Sequence, residues 1–285
     1  MLAAATLWST GGVGVKVAEG EPLVIAGLRS AFALLFMSVV LVRARADLRA
    51  LVRRPLVWAA AASYALMVTM FVLAARRTTA ANAIFIQYTG PVYVALLSHK
   101  LLDEKPTARD GFAIAGCLLG LALTFGGELG GGRLEGNLLA VLSSFGFAGL
   151  PLLLRIDQKK LDSKLAPHAP LVAMVLGNAL AAIVALPATL AHPPEGPHQA
   201  RTWLVLVLLG FFQIGLPYVL YGIAVRRLRA LESSLIATIE PVLSPFWVFF
   251  ATGERPSALA AIGGGVIVVA IASRSFTLQH RRLRR

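Results

Sequence analysis

Ionisable side chains inside long apolar stretches are the first candidates for chemistry in this sequence. Three stand out: Arg29, His99 and Glu240. A charge near the centre of a bilayer costs at least about 2.5–3.5 kcal/mol, so each must face protein or water. Glu240 directly precedes Pro241, which cannot donate a backbone hydrogen bond and loosens a helix. Glu240 is therefore either a carboxylate that exchanges a proton or meets a cationic substrate, or a buried side chain that satisfies free backbone donors at the kink.

The two basic candidates also have two interpretations each. Arg29 lies about two turns into its apolar stretch, where it either neutralises an anionic substrate group or pairs with lipid phosphate at the outer interface. His99 adjoins Lys100 near the end of its stretch, which favours an interfacial position over a proton relay. We predict Glu240 and Arg29 as coupling or structural charges.

A second group of candidates combines aromatic rings with amides. Its members are Trp8, Tyr64, Gln87, Tyr88, Tyr93, Gln213, Tyr218 and Tyr221. Gln87 precedes Pro91 by about one helical turn. Gln213 stands in the same relation to Pro217, and a bend at such a proline can open a cleft. Rings and amides together suit a small, partly apolar solute, although Trp and Tyr also populate interfacial belts.

Composition identifies the elements that must position these side chains. Of 285 residues, 57% are hydrophobic and 14% are charged, with a mean hydropathy of +0.74. Soluble domains carry roughly a quarter charged residues, and the apolar stretches approach the ~20 residues that cross a bilayer as a helix. We predict an all-α membrane protein with ten transmembrane helices: Leu2–Val17, Pro22–Val42, Leu56–Ala75, Ala83–Leu102, Gly111–Phe125, Gly136–Ile156, Pro170–Leu190, Thr202–Val225, Ser233–Thr252 and Ser257–Ala272.

The net charge of +13 does not indicate nucleic-acid binding, because the basic residues lie in short connectors and the C-terminal tail. With the N-terminus inside, twenty of the 27 Lys and Arg residues fall on the cytoplasmic side and six on the outer side. This distribution follows the positive-inside rule and predicts that both termini are cytoplasmic. The pair Arg76 and Arg77 is an exception, since it falls on the outer side.

An internal repeat appears when the chain is shifted by 150 residues. The segment RRTTAANAIFIQYTGPVYVALLSHKLLDEKPTA then aligns without a gap with RRLRALESSLIATIEPVLSPFWVFFATGERPSA. We predict a first five-helix repeat over residues 1–126, a second over 136–274, and a basic cytoplasmic tail over 275–285. Because five is odd, the second repeat enters the membrane inverted, a construction that many secondary transporters share around a midplane site.

Small residues indicate how two of these helices pack. Gly116 and Gly120 form a GxxxG pair in the fifth helix, and a Gly triplet at 263–265 lies in the tenth. Such residues allow close helix approach. We expect the two helices to pack on each other within one chain, with a dimer contact as the alternative.

Several motifs together resemble the EamA-type, ten-helix members of the drug/metabolite transporter superfamily. They are Leu7-Trp8-Ser9, Pro22 with Arg29, Glu104-x-Pro106, Glu240-Pro241 and Glu254-x-Pro256. The resemblance covers essentially the whole chain and implies that helices 1, 3, 4 and 8 line a central cavity. Relatives of this kind export amino acids, metabolites or drugs, and some import sugars or their derivatives. The chain departs from exact symmetry, because Gly90-Pro91 stands where the second repeat has Glu240-Pro241.

The resemblance and the residues together predict a secondary transporter in the inner (plasma) membrane that exports amino acids or related metabolites by alternating access. The cavity residues we predict to bind substrate are Trp8, Tyr64, Gln87, Tyr88, Gln213 and Tyr221. Pro91 and Pro241 are the predicted hinges. A drug or sugar-derivative transporter is the alternative, and an intramembrane enzyme or a channel is disfavoured because no catalytic motif or ring of charges is present.

The remaining predictions concern what the chain binds. No phosphate-binding loop suggests ATP, and with Cys117 as the single cysteine no Cys metal cluster is possible. We expect no cofactor and no metal. The expected partners are a small-molecule solute and the lipid bilayer, with a monomer or a homodimer as the assembly.

Overall fold

The computed structural model describes residues 1–11, 18–126, 133–195, 199–253 and 257–282, without the side chains at 248, 251–252 and 274–282. Within these ranges the chain is all-helical and contains no β-strand. The helices are α1 Leu2–Trp8, α2 Pro22–Arg43, α3 Leu48–Val52, α4 Pro55–Arg77, α5 Ala80–Gln87, α6 Gly90–Leu102, α7 Ala108–Phe125, α8 Leu134–Lys160, α9 Ala169–Ala191, α10 Gln199–Leu208, α11 Leu216–Val225, α12 Ala230–Ala237, α13 Ile239–Thr252 and α14 Ala258–Arg282.

Seven stretches of the described chain are long and apolar enough to cross a membrane as helices. They are Pro22–Arg43, Pro55–Arg77, Ala80–Leu102, Ala108–Phe125, Leu134–Lys160, Ala169–Ala191 and Gln199–Val225. A shorter apolar helix covers Ala258–Ser273. Large apolar side chains are exposed around the molecule, as Phe112 and Phe250 illustrate at 77% and 75% exposure. The chain is therefore a multi-pass membrane protein, since only lipid suits such a surface.

Two of the predicted helices are interrupted in their middle. The predicted fourth helix is divided into α5 and α6 at Tyr88 and Thr89, just before Pro91. The predicted ninth helix is divided into α12 and α13 at Thr238, just before Pro241. A proline at position i cannot donate to the carbonyl at i−4, so these breaks leave the carbonyls of Gln87 and Ala237 without their usual helical partners.

The predicted eighth helix has a wide turn instead of a break. Its residues Leu209–Gly215 adopt a π-helix between α10 and α11, and the Leu216 N–H donates to the Phe211 carbonyl five residues earlier. Pro217 follows at once and removes a further donor. Gln213 therefore lies in a π segment, a feature that is frequent at functional sites.

Helix ends depart from the predicted bounds where polar groups cap them. The fifth helix begins at Ala108 because Thr107 and Asp110 form a capping box, with the Thr107 N–H donating to Asp110 Oδ2 at 2.8 Å. The short helix α3 was not predicted; Asp47 caps it by accepting from the Ala50 N–H at 3.0 Å. Helix α14 continues to Arg282, so residues 275–282 of the predicted tail are helical.

The centre of the molecule is built around α4, which packs along α8 and also against α9. The close approach of α4 and α8 depends on Gly146, where a Cβ atom would lie 2.6 Å from the Ser63 carbonyl oxygen. Ion pairs at both ends show that the two helices are antiparallel. Arg54 donates to Asp157 at 2.7 Å at one end, and Arg77 pairs with Glu135 at the other.

Arg77 pairs with Glu135, so its charge has an acidic partner at this end of α4. Arg76 donates to the Ala18 carbonyl at 3.1 Å. Both arginines thus form contacts that contribute to packing at that end of α4.

Helices α7 and α14 pack on each other within the chain, as the small residues predicted. A Cβ atom at Gly120 would lie 2.5 Å from Ile267 Cγ1 and 2.6 Å from the Gly263 carbonyl oxygen. A Cβ atom at Gly116 would lie 2.8 Å from that of Ala270. The intramolecular contact is confirmed.

Candidate functional site

A cavity of about 50 Å³ lies where helices from the first and the second part of the chain meet. Helices α1, α4 and α5 contribute from the first part, and α8, α11, α12 and α13 from the second. The lining residues are Trp8, Met67, Gln87, Phe147, Leu150, Pro151, Tyr218, Tyr221, Ser233, Ser234, Ala237 and Glu240. Four residues predicted as substrate or coupling sites, namely Trp8, Gln87, Tyr221 and Glu240, are among them.

Aromatic rings form one wall of this cavity. The ring of Tyr218 lies 4.8 Å from Trp8 and 4.7 Å from Tyr64, centroid to centroid, and Trp8 lies 5.7 Å from Tyr221. These are the distances of favourable tilted and edge-to-face contacts. Ring packing therefore holds these aromatic side chains against one another at the edge of the cavity.

Glu240 is the acidic group of the cavity. Tyr88 donates from its hydroxyl to Glu240 Oε2 at 2.7 Å and also approaches the Ala237 carbonyl at 3.2 Å. Ala237 O is the carbonyl that the proline at 241 leaves without a helical donor. Within the described residues no backbone N–H donates to the Glu240 carboxyl, whose hydrogen bond comes from Tyr88. The role of Glu240 as a coupling or a structural charge stays a prediction. Tyr88, predicted to line the cavity, lies behind Glu240 instead.

Two polar atoms near the cavity are buried and have no hydrogen-bond partner among the described residues. They are Trp8 Nε1, a donor, and Gln87 Oε1, an acceptor. Buried polar groups are nearly always paired, by protein, water or ligand. A solute that offers one acceptor and one donor would pair both.

Gln213 lies outside the lining and positions Trp8 instead. Its Nε2 donates to the Trp8 carbonyl at 3.3 Å, and a Cβ atom at Gly11 would lie 2.5 Å from that same nitrogen. Trp247 forms a second hydrogen bond to this end of α1, because its Nε1 donates to Ser9 Oγ at 2.7 Å. The π segment and α13 together hold α1 against the cavity.

Tyr64 and Arg29 form a layer behind the aromatic wall. Tyr64 donates to Asn178 Oδ1 at 3.2 Å. Arg29 is only 4% exposed and donates from Nη2 to the Val68 carbonyl at 3.5 Å, while its Nε is buried without a described partner. Pairing of Arg29 with lipid phosphate is therefore wrong, because the side chain is enclosed by protein. Arg29 interacts electrostatically with Glu240 but forms no ion pair with it.

The predicted hinge prolines lie one turn from the cavity. Pro91 follows Gln87 by four residues, and Pro241 follows Ala237 by four. The break before each proline therefore places a lining residue at the last turn of α5 or α12. His99, by contrast, is exposed at the far end of α6.

Sequence reasoning missed several lining residues on α8 and α12. Phe147 is one of them, and its ring packs 5.1 Å from that of Tyr88. Ser233 and Ser234 are buried and bond to carbonyls of their own helix at 2.9 Å. A serine pair in an apolar helix and Pro151 inside the span α8 could have indicated these cavity residues. Phe147 could not be predicted, because its sequence context does not differ from that of a lipid-facing Phe.

A network of ions at one end links the two parts of the chain. Glu104 accepts from Arg155 at 3.0 Å and lies 3.8 Å from both Lys159 Nζ and Arg229 Nε. Arg229 also lies 3.9 Å from Asp110. The second Glu-x-Pro motif, at Glu254, lies outside the described residues. No group of three His, Cys, Asp or Glu side chains within the described ranges could hold a metal ion.

Comparison with known proteins gives one consistent result. An uncharacterized transporter of Archaeoglobus fulgidus is 26% identical over 208 residues, which cover 72% of this chain and 71% of that one. The uncharacterized transporter YoaV of Bacillus subtilis is 22% identical over 199 residues, covering 69% and 66%. A solved crystal structure superposes with a TM-score of 0.77 at 22% identity, covering 99% of this chain and 96% of that one, which supports the fold alone.

The sequence profile of the EamA-like transporter family matches residues 1–126 and 134–275. Both matches and both named relatives indicate a membrane transporter rather than an enzyme. The chain belongs to the EamA-like transporter family.

Proposed function

We propose that this protein is a secondary transporter that moves a small metabolite, an amino acid or a related compound, across the cytoplasmic membrane by alternating access, with export as the favoured direction. The observation that supports this most is the cavity between the two parts of the chain, which has an aromatic wall and one carboxylate. Its apolar rings and few polar groups suit a small solute. Its volume of about 50 Å³ is smaller than a metabolite, so the solute would enter when the two parts of the chain move apart.

Solute recognition would combine three kinds of contact. The rings of Trp8, Tyr218 and Tyr221 offer apolar faces. Trp8 Nε1 and Gln87 Oε1 offer one donor and one acceptor that lack described partners. Glu240 offers a charge for an ammonium group. An apolar amino acid would satisfy all of them, with its ammonium donating to Glu240 and Gln87 Oε1 and its carboxylate accepting from Trp8 Nε1.

Proton coupling would use the pair formed by Tyr88 and Glu240. A phenol has one proton, so Tyr88 can donate either to ionised Glu240 or to the Ala237 carbonyl. When Glu240 is protonated it can itself donate, and the Tyr88 proton is then free for Ala237. Protonation of Glu240 would in this way change the hydrogen bonding of the Ala237 carbonyl, at the break between α12 and α13.

Alternating access would follow from ten spans arranged as two inverted repeats, residues 1–126 and 136–274. The antiparallel pair α4 and α8 and the matching breaks before Pro91 and Pro241 support this arrangement. We propose these breaks as hinges and the Glu104 network as the contact that holds one end closed. That network would separate when its end opens.

The basic residues support the orientation. Arg54, Arg155, Lys159, Arg226 and Arg229 all lie at the Glu104 end, in connectors or in the last turns of α8. We propose that this end is cytoplasmic in the inner membrane, with both termini inside.

The decisive experiment is a flux screen in reconstituted liposomes with amino acids, amines and sugars, with and without an imposed pH gradient. We expect saturable flux of an amine-bearing solute, reduced at least about tenfold by Trp8→Ala, since stacked rings are large contributors to binding. Trp58→Ala is the matched control, because Trp58 is 40% exposed and outside the cavity. Saturable flux of sugars alone would favour the sugar-derivative alternative, and flux that does not saturate would contradict a carrier.

A further inference from the structure

A basic cleft of about 410 Å³ lies at the Glu104 end, separate from the central cavity. It is enclosed by the last turns of α8, by the connector at 161–168 and by the end of α11. Four cationic side chains line it, and the described lining includes no acidic one: Arg155, Lys159, Arg226 and Arg227. Such a concentration of one sign of charge attracts anions.

The charge of this cleft is only half compensated. Glu104 pairs with Arg155 at 3.0 Å and lies 3.8 Å from Lys159. Arg226 has only carbonyl partners among the described residues, Pro167 O at 3.3 Å and Ile223 O at 3.5 Å. Carbonyls orient a guanidinium without neutralising it. Arg226 and the exposed Arg227 therefore supply the uncompensated positive charge.

A second feature of the cleft also indicates an anionic ligand. Gln158 lines the cleft, and its amide Nε2 is buried with no partner among the described residues. An amide nitrogen donates, so it lacks an acceptor. A phosphate oxygen would be such an acceptor, and two arginines beside it would bind the remaining oxygens.

The position of the cleft favours a lipid over a soluble anion. Ile223, one turn before Arg226, is 52% exposed on a helix whose composition is that of a membrane span. A headgroup in the cleft could therefore extend its acyl chains along the apolar surface that begins at Ile223. A soluble phosphate would pair with the charged side chains but would make no contact with the apolar surface at Ile223.

We infer that this cleft binds the phosphate of an anionic phospholipid, through Arg226, Arg227 and Gln158. Basic pockets between transmembrane helices at a membrane face are suited to such headgroups. The site is independent of the solute cavity, so lipid binding is measured without reference to transport.

The test is native mass spectrometry of the purified full chain in detergent micelles, titrated with phosphatidylglycerol, phosphatidylcholine or inorganic phosphate. We expect one tightest phosphatidylglycerol site that the double variant Arg226→Gln/Arg227→Gln weakens at least about tenfold. The matched control is Arg49→Gln/Arg53→Gln, which removes two exposed charges elsewhere and should leave that site unchanged.

Three outcomes would overturn the proposal. Equal weakening by both double variants would indicate attraction by overall charge. Equal binding of phosphatidylcholine would remove the need for an anionic headgroup. Displacement of phosphatidylglycerol by inorganic phosphate at a similar concentration would assign the cleft to a soluble anion. If the double variant unfolds, Arg227→Gln alone replaces it, because Arg227 is exposed and has no described partner.

Discussion

Tyr88 and Glu240 belong to helices from different parts of the chain, yet their side chains meet at 2.7 Å beside the cavity. Two proton acceptors, the carboxylate and the Ala237 carbonyl, lie within reach of one hydroxyl. Such a site has two hydrogen-bond arrangements that differ by one proton. Flux through the protein should therefore respond to pH at this site.

Replacing Glu240 with Gln keeps the size of the side chain and removes its ionisation. We expect Glu240→Gln to abolish the response of flux to an imposed pH gradient and to weaken uptake of amine-bearing solutes. The measurement is liposome flux at several pH values inside and outside. Unaltered uptake with unaltered pH dependence would eliminate proton coupling through this residue.

Replacing Tyr88 with Phe removes the hydroxyl and leaves the ring that packs on Phe147. A hydrogen bond to a charged group is worth about 1.5–3 kcal/mol, so Tyr88→Phe should reduce the pH response of flux while solute-only exchange continues. Tyr93→Phe is the control, because Tyr93 lies outside the cavity lining. Equal effects of both variants would argue against the proposed pairing.

At the scale of elements, glycines determine which helices approach closely. Gly120 on α7 has no room for a Cβ atom against α14, whereas a Cβ atom at Gly265 would meet nothing within 4 Å. Gly120 is thus required for the close contact of α7 with α14, whereas Gly265 leaves room for a larger side chain.

Gly120→Ala should destabilise the protein, since overpacking a tight contact costs about 1–3 kcal/mol. Gly265→Ala should leave stability unchanged or raise it slightly, because Ala is the better helix former by about 1 kcal/mol. Thermal unfolding of the purified protein in detergent measures both. A larger loss for Gly265→Ala than for Gly120→Ala would contradict the packing of α7 on α14.

At the scale of the whole molecule, the chain has seven described stretches long enough to span and two parts that meet at the cavity. The ends of the antiparallel pair α4 and α8 differ in charge. One end holds the Glu104 network and the basic cleft, and the other holds Arg77 with Glu135. This asymmetry is what a fixed orientation in a membrane requires.

Cysteine labelling tests the orientation and the inversion together. Arg77 and Arg227 are 150 residues apart and both are accessible, while the single native cysteine, Cys117, is 3% exposed and gives little background. We expect an impermeant maleimide to label Arg77→Cys in intact cells and Arg227→Cys only after permeabilisation. Labelling of both from the same side would refute two inverted repeats.

The class of protein, most helix positions and the family followed from the sequence, because apolar length, proline spacing and a 150-residue repeat need no knowledge of the fold. The count of ten spans stays a prediction, since seven stretches of the described chain are long enough to cross a membrane. The sequence also identified Trp8, Gln87, Tyr221 and Glu240, since polar groups in apolar helices must face protein or water.

The face of each helix that points inward is known from the packing of the helices alone. Lipid and protein interior are equally apolar, so hydropathy does not distinguish them. Phe147 lines the cavity, whereas Phe145, two residues earlier, is 52% exposed. Tyr64, Arg29 and Gln213 lie one layer behind the cavity for the same reason: their depth depends on which neighbouring helices pack over them, and no local pattern specifies that.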